Sequence, residues 1–188
     1  MNIGIIGQGF VGSAIREGLN NFYKVRTYDI DESKCNSTHK QVCLESDIIF
    51  MCLPTPMRKN GSCDTRILES SIREVDLAVY QHNHRPIIVI KSTVPPGTTA
   101  RLNEMAPYCD VCFSPEFLTE ANYIDDFKNQ NRIIIGGNTA NKCSSAKKVK
   151  QMFRKVFIFF YRFGVVINDF RYSNYICYRG FKLMACIS

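Results

Sequence analysis

The sequence predicts a doubly wound α/β fold, a parallel sheet with helices on both faces, ending in an irregular C-terminal tail. Three observations carry that prediction. Apolar runs rich in Ile and Val recur six times within the first 137 residues. Unbroken runs of this kind mark strands buried on both faces. Segments of helical spacing separate them, and Gly or Pro closes several of the runs.

Taken in order, "NIGIIG" at residues 2–7 is the first strand. "FVGSAIREGLNN" is the first helix, with Val11, Ile15 and Leu19 four apart on one face. "KVRTYDI" is the second strand, and "SDIIFMCLP" the third, stopped by Pro54. After a loop containing "KNGSCD", a helix is expected over residues 65–80, with Ile67, Ile72, Val75 and Val79 facing the core. "RPIIVIKST" is the fourth strand, closed by Pro95, Pro96 and Gly97, and a short helix follows over residues 98–105. "YCDVCFS" is the fifth strand. "EFLTEANYIDDF" reads as helical, with Ser114 suited to the N-cap and Pro115 to the first helical position. That places Glu116 and Glu120 one turn apart on the same face, a repulsion of roughly 0.2–0.5 kcal/mol. "NRIIIGG" is the sixth strand, and "SSAKKVKQMFRKVF" is a basic helix behind Ser144 or Ser145 as N-cap.

Composition narrows the function classes. The net charge is +7, but residues 1–141 hold 14 Lys+Arg against 16 Asp+Glu, whereas residues 142–188 hold 10 against one. The basicity belongs to a solvated helix face and the tail. No interleaved nucleic-acid-binding motif accompanies it, so no nucleic-acid partner is expected. "VFIFFYRFGVVI" is too short to span a bilayer, so no membrane partner is expected either. No basic n-region with an apolar signal core opens the chain. The nine cysteines are therefore read as reduced thiols of a cytoplasmic protein. Cys43, Cys52 and Cys112 sit inside apolar runs. Cys109 and Cys112 form one CxxC with no second pair or histidines beside it, which favours packing over a metal site.

"GQGFVG" places Gly7, Gly9 and Gly12 in the pattern G-x-G-x-x-G between a strand and a helix, the context a dinucleotide-binding loop requires. Gly7 permits the tight turn, Gly9 lets the backbone approach a pyrophosphate, and Gly12 allows close helix–strand packing. The helix N-terminus offers unpaired N–H groups and a positive dipole end. Asp29, seventeen residues after Gly12, ends the second strand. A carboxylate there binds the ribose hydroxyls and repels a 2′-phosphate, which selects NAD over NADP. FAD shares the glycine fingerprint, and only the loops after the later strands separate the two cofactors.

Three further loops come in order: "CLPTP" (52–56), "KSTVPPGTT" (91–99) and "SPEFLTEA" (114–121), followed by "NRIIIGG". With the N-terminal glycines they resemble the UDP-glucose/GDP-mannose dehydrogenase family over residues 1–137, and more loosely to Phe157. The resemblance implies the Rossmann-like NAD-binding half of an enzyme that oxidises a nucleotide sugar's primary alcohol to a carboxylate, passing two hydrides to two NAD molecules in turn. Gly7, Gly9, Phe10, Val11 and Gly12 would cradle the pyrophosphate, Asp29 would hold the adenosine ribose, and Lys34 would lie near it. Thr55 and Thr93 would line the NAD site, with Glu120 at its nicotinamide end. Glu116 is the implied catalytic residue, handling protons through a water. Glu116, Phe117, Leu118, Thr119 and Glu120 would face a UDP-glucose-like nucleotide sugar.

The chain also departs from the family. The resemblance implies a second domain with a nucleophilic cysteine in a glycine-rich context, and a helix carrying a lysine and an asparagine. Cys177 in "YICYR" and Cys186 in "MACIS" lack those neighbours, and "FRYSNYICYRG" lacks the helix pattern. The expected organisation is an NAD-binding domain over residues 1–157 and a divergent tail over 158–188. That tail holds nine of the 22 Phe and Tyr residues and one acid, Asp169. A change of coding frame near Phe157 would give this composition; a divergent native tail is the alternative. Three functions compete. The first is the cofactor half of a truncated nucleotide-sugar 6-dehydrogenase. The second is a non-catalytic NAD-binding remnant or partner module. The third is a 3-hydroxyacid-type Rossmann dehydrogenase, against which the second and third loop motifs count.

Overall fold

Successive residues of the strands, buried nearly throughout, face opposite sides of the sheet and divide the core into two layers. The computed structural model describes residues 1–130, 132–137 and 144–160, with two short paired strands at Asn168–Asp169 and Ile176–Cys177. The expected tail at 158–188 lies largely outside the described residues. The chain runs β1 (Asn2–Ile6), α1 (Phe10–Leu19), β2 (Lys24–Tyr28), α2 (His39–Glu45), β3 (Ile48–Met51), α3 (Arg66–Tyr80), β4 (Ile87–Ile90), α4 (Thr98–Met105), β5 (Asp110–Phe113), α5 (Tyr123–Asn129), β6 (Gly136–Gly137) and α6 (Ser144–Phe160).

The sheet order is β2-β1-β3-β4-β5-β6. The first five strands pair in parallel, and β6 runs antiparallel along β5. This is the expected doubly wound sheet, with an antiparallel edge the sequence did not distinguish. On one face, Ile3, Ile5, Ile48, Phe50, Ile87, Val89 and Cys112 pack against α1, α6 and Phe127 of α5. On the other, Ile49, Met51, Ile88, Ile90, Val111 and Phe113 pack against α2, α3 and α4. Cys109 and Cys112 fall in opposite layers, both buried.

Local differences from the sequence reading have identifiable causes. Ile67 is half exposed, and the inward stripe of α3 is Leu68, Ile72, Val75 and Val79. One residue is about 100° of helix, so Ile67 turns away when Leu68 is buried. Helix α2 was not read from the sequence. Its signal is a capping box, Thr38 with Gln41, whose side chains bond each other's backbone N–H. α6 begins at Ser144, so Ser145 lies in its first turn and donates its hydroxyl to Asp110 Oδ2 at 2.6 Å instead of capping. Among the described residues of "NRIIIGG", Gly136 and Gly137 pair in the sheet.

The helix expected from Pro115 is absent. Residues 114–119 form an extended loop, and α5 starts only at Tyr123. Ser114 N–H continues the β-ladder by donating to Ile90 O at 2.9 Å. Thr119 donates its N–H and hydroxyl to Asp126 Oδ2, at 2.8 and 2.5 Å, which fixes the loop to α5. Glu116 and Glu120 therefore do not share a helical face.

Candidate functional site

Parallel pairing brings one end of five strands to a single edge. Tyr28, Ile6, Met51, Ile90 and Phe113 form one rung across the sheet. The next residues along each strand are Asp29, Gly7, Cys52, Lys91 and Ser114. Gly7, Cys52, Lys91 and Ser114 carry the ladder one step further, donating N–H bonds of 2.8–3.0 Å to the neighbouring strand. The crevice opens between β1 and β3, where the strand order reverses, the position at which open α/β sheets bind ligands.

The glycine loop has the geometry a dinucleotide needs. Gly7 sits at φ +94°, where a side chain would strike Cys52 O at 2.3 Å. Gly12 lies so close to the turn that a Cβ would stand 1.9 Å from Gly7 O. A Cβ on Gly9 would meet nothing within 4 Å, so open space lies over that backbone. Gly9 is the N-cap of α1, no side chain caps the helix, and its first turn holds no acid. The first N–H groups of α1 are thus left for an anion. These features fit NAD: a pyrophosphate above Gly9, and a ribose at Asp29. Asp29 accepts Gln8 N–H at 2.5 Å on Oδ2 and Asp31 N–H at 2.9 Å on Oδ1. Each oxygen keeps a second lone pair for a hydroxyl. Val11 packs its side chain on the core, so only its backbone faces the loop. Phe10 is exposed, its ring tilted against Tyr123 at 6.5 Å.

Lys34 stands at the end of a one-turn 3-10 helix, Glu32–Lys34, and pairs with Asp31 at 3.4 Å. Its carbonyl accepts the Thr27 hydroxyl. Thr55 and Thr93 are brought together: the Thr55 hydroxyl donates to Thr93 O at 2.7 Å. Ser92, which the sequence reading did not single out, clips the same two loops. It accepts Leu53 N–H and donates to Leu53 O at 2.6 Å.

Glu116 lies in the extended loop beyond β5. Its Oε1 accepts Phe117 N–H at 3.0 Å, and its Oε2 lies 2.9 Å from Lys91 Nζ. Oε2 is charge-compensated by this ammonium yet has no hydrogen-bond partner among the described residues. Lys91 was also missed. The available signal was a lysine continuing the apolar run "IIVI" of a buried strand. Cys52 sits beside this pair; burial pushes its thiol upward, the Lys91 charge opposing and the Glu116 charge reinforcing the shift. Phe117 is exposed beneath the guanidinium of Arg132 at 5.0 Å, Leu118 packs partly on the core, and Thr119 and Glu120 are exposed. Among the described residues, no cluster of His, Cys, Asp and Glu could hold a metal ion, and no helix is long and apolar enough to cross a membrane.

A doubly wound sheet with a glycine turn, an acid after β2 and an uncapped α1 defines a dinucleotide-binding domain of the dehydrogenase type. The chain belongs to the UDP-glucose/GDP-mannose dehydrogenase family: the sequence model of that family's NAD binding domain matches residues 36–157. A UDP-glucose 6-dehydrogenase of Rickettsia conorii is 31% identical, over 98% of this chain and 49% of its own length. An uncharacterized protein of Methanocaldococcus jannaschii is 32% identical, over 85% of this chain and 21% of its own. The fold matches a UDP-glucose dehydrogenase structure from Pyrobaculum islandicum with a TM-score of 0.72 at 24% identity, covering 82% of this chain and 44% of that one. The chain thus spans about half the length of the Rickettsia enzyme and about a fifth of the archaeal protein.

Proposed function

We propose that this chain is the NAD-holding half of a nucleotide-sugar 6-dehydrogenase of the UDP-glucose type, with Glu116 as its acid–base residue. The observation that carries this reading is the single rung that sets the glycine loop, Asp29, Thr55, Thr93 and Glu116 along one edge of the sheet. Gly7, Gly9, Phe10, Val11 and Gly12 receive the pyrophosphate on their backbone, and Asp29 receives the ribose. Bound NAD supplies the hydride acceptor. Thr55 and Thr93, with Glu120, line the cleft beyond. Glu116 takes the proton of the sugar alcohol, directly or through one water, on a carboxylate that pairs with Lys91 at 2.9 Å. A positioned acid–base group of this kind contributes on the order of 10²–10⁴ in rate.

None of the nine cysteines lies in the glycine-rich context expected of the thiol nucleophile. The chain by itself is therefore expected to bind NADH without reducing NAD in the presence of UDP-glucose. Calorimetric titration with NADH, on the wild type and on Asp29→Ala, tests the cofactor assignment. Binding that Asp29→Ala abolishes supports it, and equal binding by both refutes the role of Asp29. UDP-glucose turnover by the chain alone would overturn the half-enzyme reading.

A further inference from the structure

We propose that Lys91 is the positioning residue for Glu116, holding its carboxylate as an anion at the rim of the crevice. The inference rests on the dehydrogenase reading, because it deepens the role given there to Glu116. Lysine is almost never fully buried unless it is paired, yet Lys91 is only 5% exposed. Its surroundings explain how it is tolerated. Nζ lies 2.9 Å from Glu116 Oε2, 3.4 Å from Pro115 O and 3.5 Å from Ser114 Oγ, with the Phe153 ring centroid at 6.0 Å. Two of these neighbours are neutral oxygens, and among the described residues its charge is met by one carboxylate. The two side chains are 3% and 9% exposed, so water screens the pair little.

The meeting is built into the sheet. β4 and β5 are adjacent and in register, Ile90 opposite Phe113. Both of these belong to the layer under α3 and α4, so the next residues, Lys91 and Ser114, turn to the opposite face. There Phe153 of α6 closes the space beneath Lys91. The extended path of residues 114–119 then returns Glu116 to the same side. A buried carboxylate without a cation takes up a proton to lose its charge. Without Lys91, Glu116 becomes a neutral acid, unable to accept the proton of an alcohol.

Infrared difference spectroscopy at neutral pH, with Glu116→Gln as the subtraction, reads the charge of this one carboxyl. The wild type and Lys91→Arg should show the carboxylate stretch. Lys91→Met should lose it and gain the carbonyl stretch of a carboxylic acid. A wild-type carboxylate band in Lys91→Met overturns the proposal. Thermal melting supplies the second measurement. Lys91→Met should lower the Tm by roughly 6–20 °C, because the buried pair is broken and Glu116 must take up a proton at neutral pH to stay in the fold. The Lys91→Met/Glu116→Gln double variant should recover more than half of that loss. A double variant no better than Lys91→Met overturns the proposal, including where Lys91→Met fails to fold and the double variant fails too. NADH titration of the wild type is independent of both. Its failure refutes the dehydrogenase reading and leaves the coupling of Lys91 to Glu116 standing.

Discussion

Gly9 and Gly12 lie three residues apart in one loop, yet a methyl group at each meets opposite surroundings. Gly9 has φ −69° and ψ −166°, a conformation any residue adopts, and a Cβ there meets nothing within 4 Å. Gly9→Ala should therefore fold. The weaker N-cap costs at most about 1 kcal/mol, a Tm decrease of roughly 2–4 °C for a chain of this size. On the proposed reading the same methyl group fills the space a pyrophosphate would take, so NADH affinity should fall at least about tenfold, or 1.4 kcal/mol. At Gly12 a Cβ would lie 1.9 Å from Gly7 O and 3.0 Å from Gly7 C. That carbonyl is fixed in the β1–α1 turn and cannot rotate away as a side chain can. Overpacking of this kind costs about 1–3 kcal/mol, or roughly 2–12 °C, and displaces the start of α1. Gly12→Ala should lose both stability and NADH binding. The assays are thermal melting and calorimetric titration with NADH. Wild-type affinity in Gly9→Ala would refute the pyrophosphate assignment, and a wild-type Tm in Gly12→Ala would refute the close approach.

Two further predictions concern the scaffold. A Cβ on Gly18 of α1 would stand 2.1 Å from the ring of Phe127, which is 1% exposed and holds α5 in place. Gly18→Val should cost about 1–3 kcal/mol, and Phe127→Leu in the same chain should recover part of it; an unchanged Tm in Gly18→Val would refute that packing. Asp110 links β5 to Arg85 at 2.8 Å and to Ser145 of α6 at 2.6 Å. Burial raises its carboxyl, but these donors outweigh burial and hold it below the usual carboxylate range. With the folded value depressed, its contribution is complete above the unfolded value of about 3.9 and is lost as pH falls through the folded one. Asp110→Asn should flatten the acid limb of a Tm-against-pH curve below about pH 4, and an acid limb as steep as the wild type's would refute this.

What the sequence made legible was whatever repeats locally or turns on a single residue type. Apolar runs located β1, β3, β4 and β5, and spacing located α1, α3 and α4. Glycines at fixed offsets located the tight turn between β1 and α1. What it concealed depends on pairing across the sheet. Ser114 and Pro115 form a good helix start in isolation, but Ser114 N–H is already committed to Ile90 O. Lys91 looks like a strand end entering solvent, and only the register of β4 with β5 shows that it turns inward. Ile67 and Leu68 are both apolar, so a one-residue error in helical phase could not be seen in composition. The pairing of Glu116 with Glu120 failed for the same reason as the helix that suggested it.

The floor of the site raises a further question, whether α6 merely covers the sheet or supports the chemistry above it. Phe153 is 1% exposed and packs edge-on against Phe50 at 5.8 Å, with Phe157 at 5.9 Å. The ring also lies beneath Lys91 Nζ at 6.0 Å. Phe153→Ala should cost about 3–5 kcal/mol through the lost burial and the void left behind. If α6 were only a cover, that loss would add independently to the effects at Lys91 and Glu116. If Phe153 keeps the ion pair dry, the void admits water, and the pair is screened. Lys91→Met should then cost less in the Phe153→Ala background than in the wild type, and the recovery from adding Glu116→Gln should shrink. Equal Tm shifts in the two backgrounds would show that Phe153 contributes packing alone. A smaller shift would make the α6 floor part of what keeps the Lys91–Glu116 pair dry.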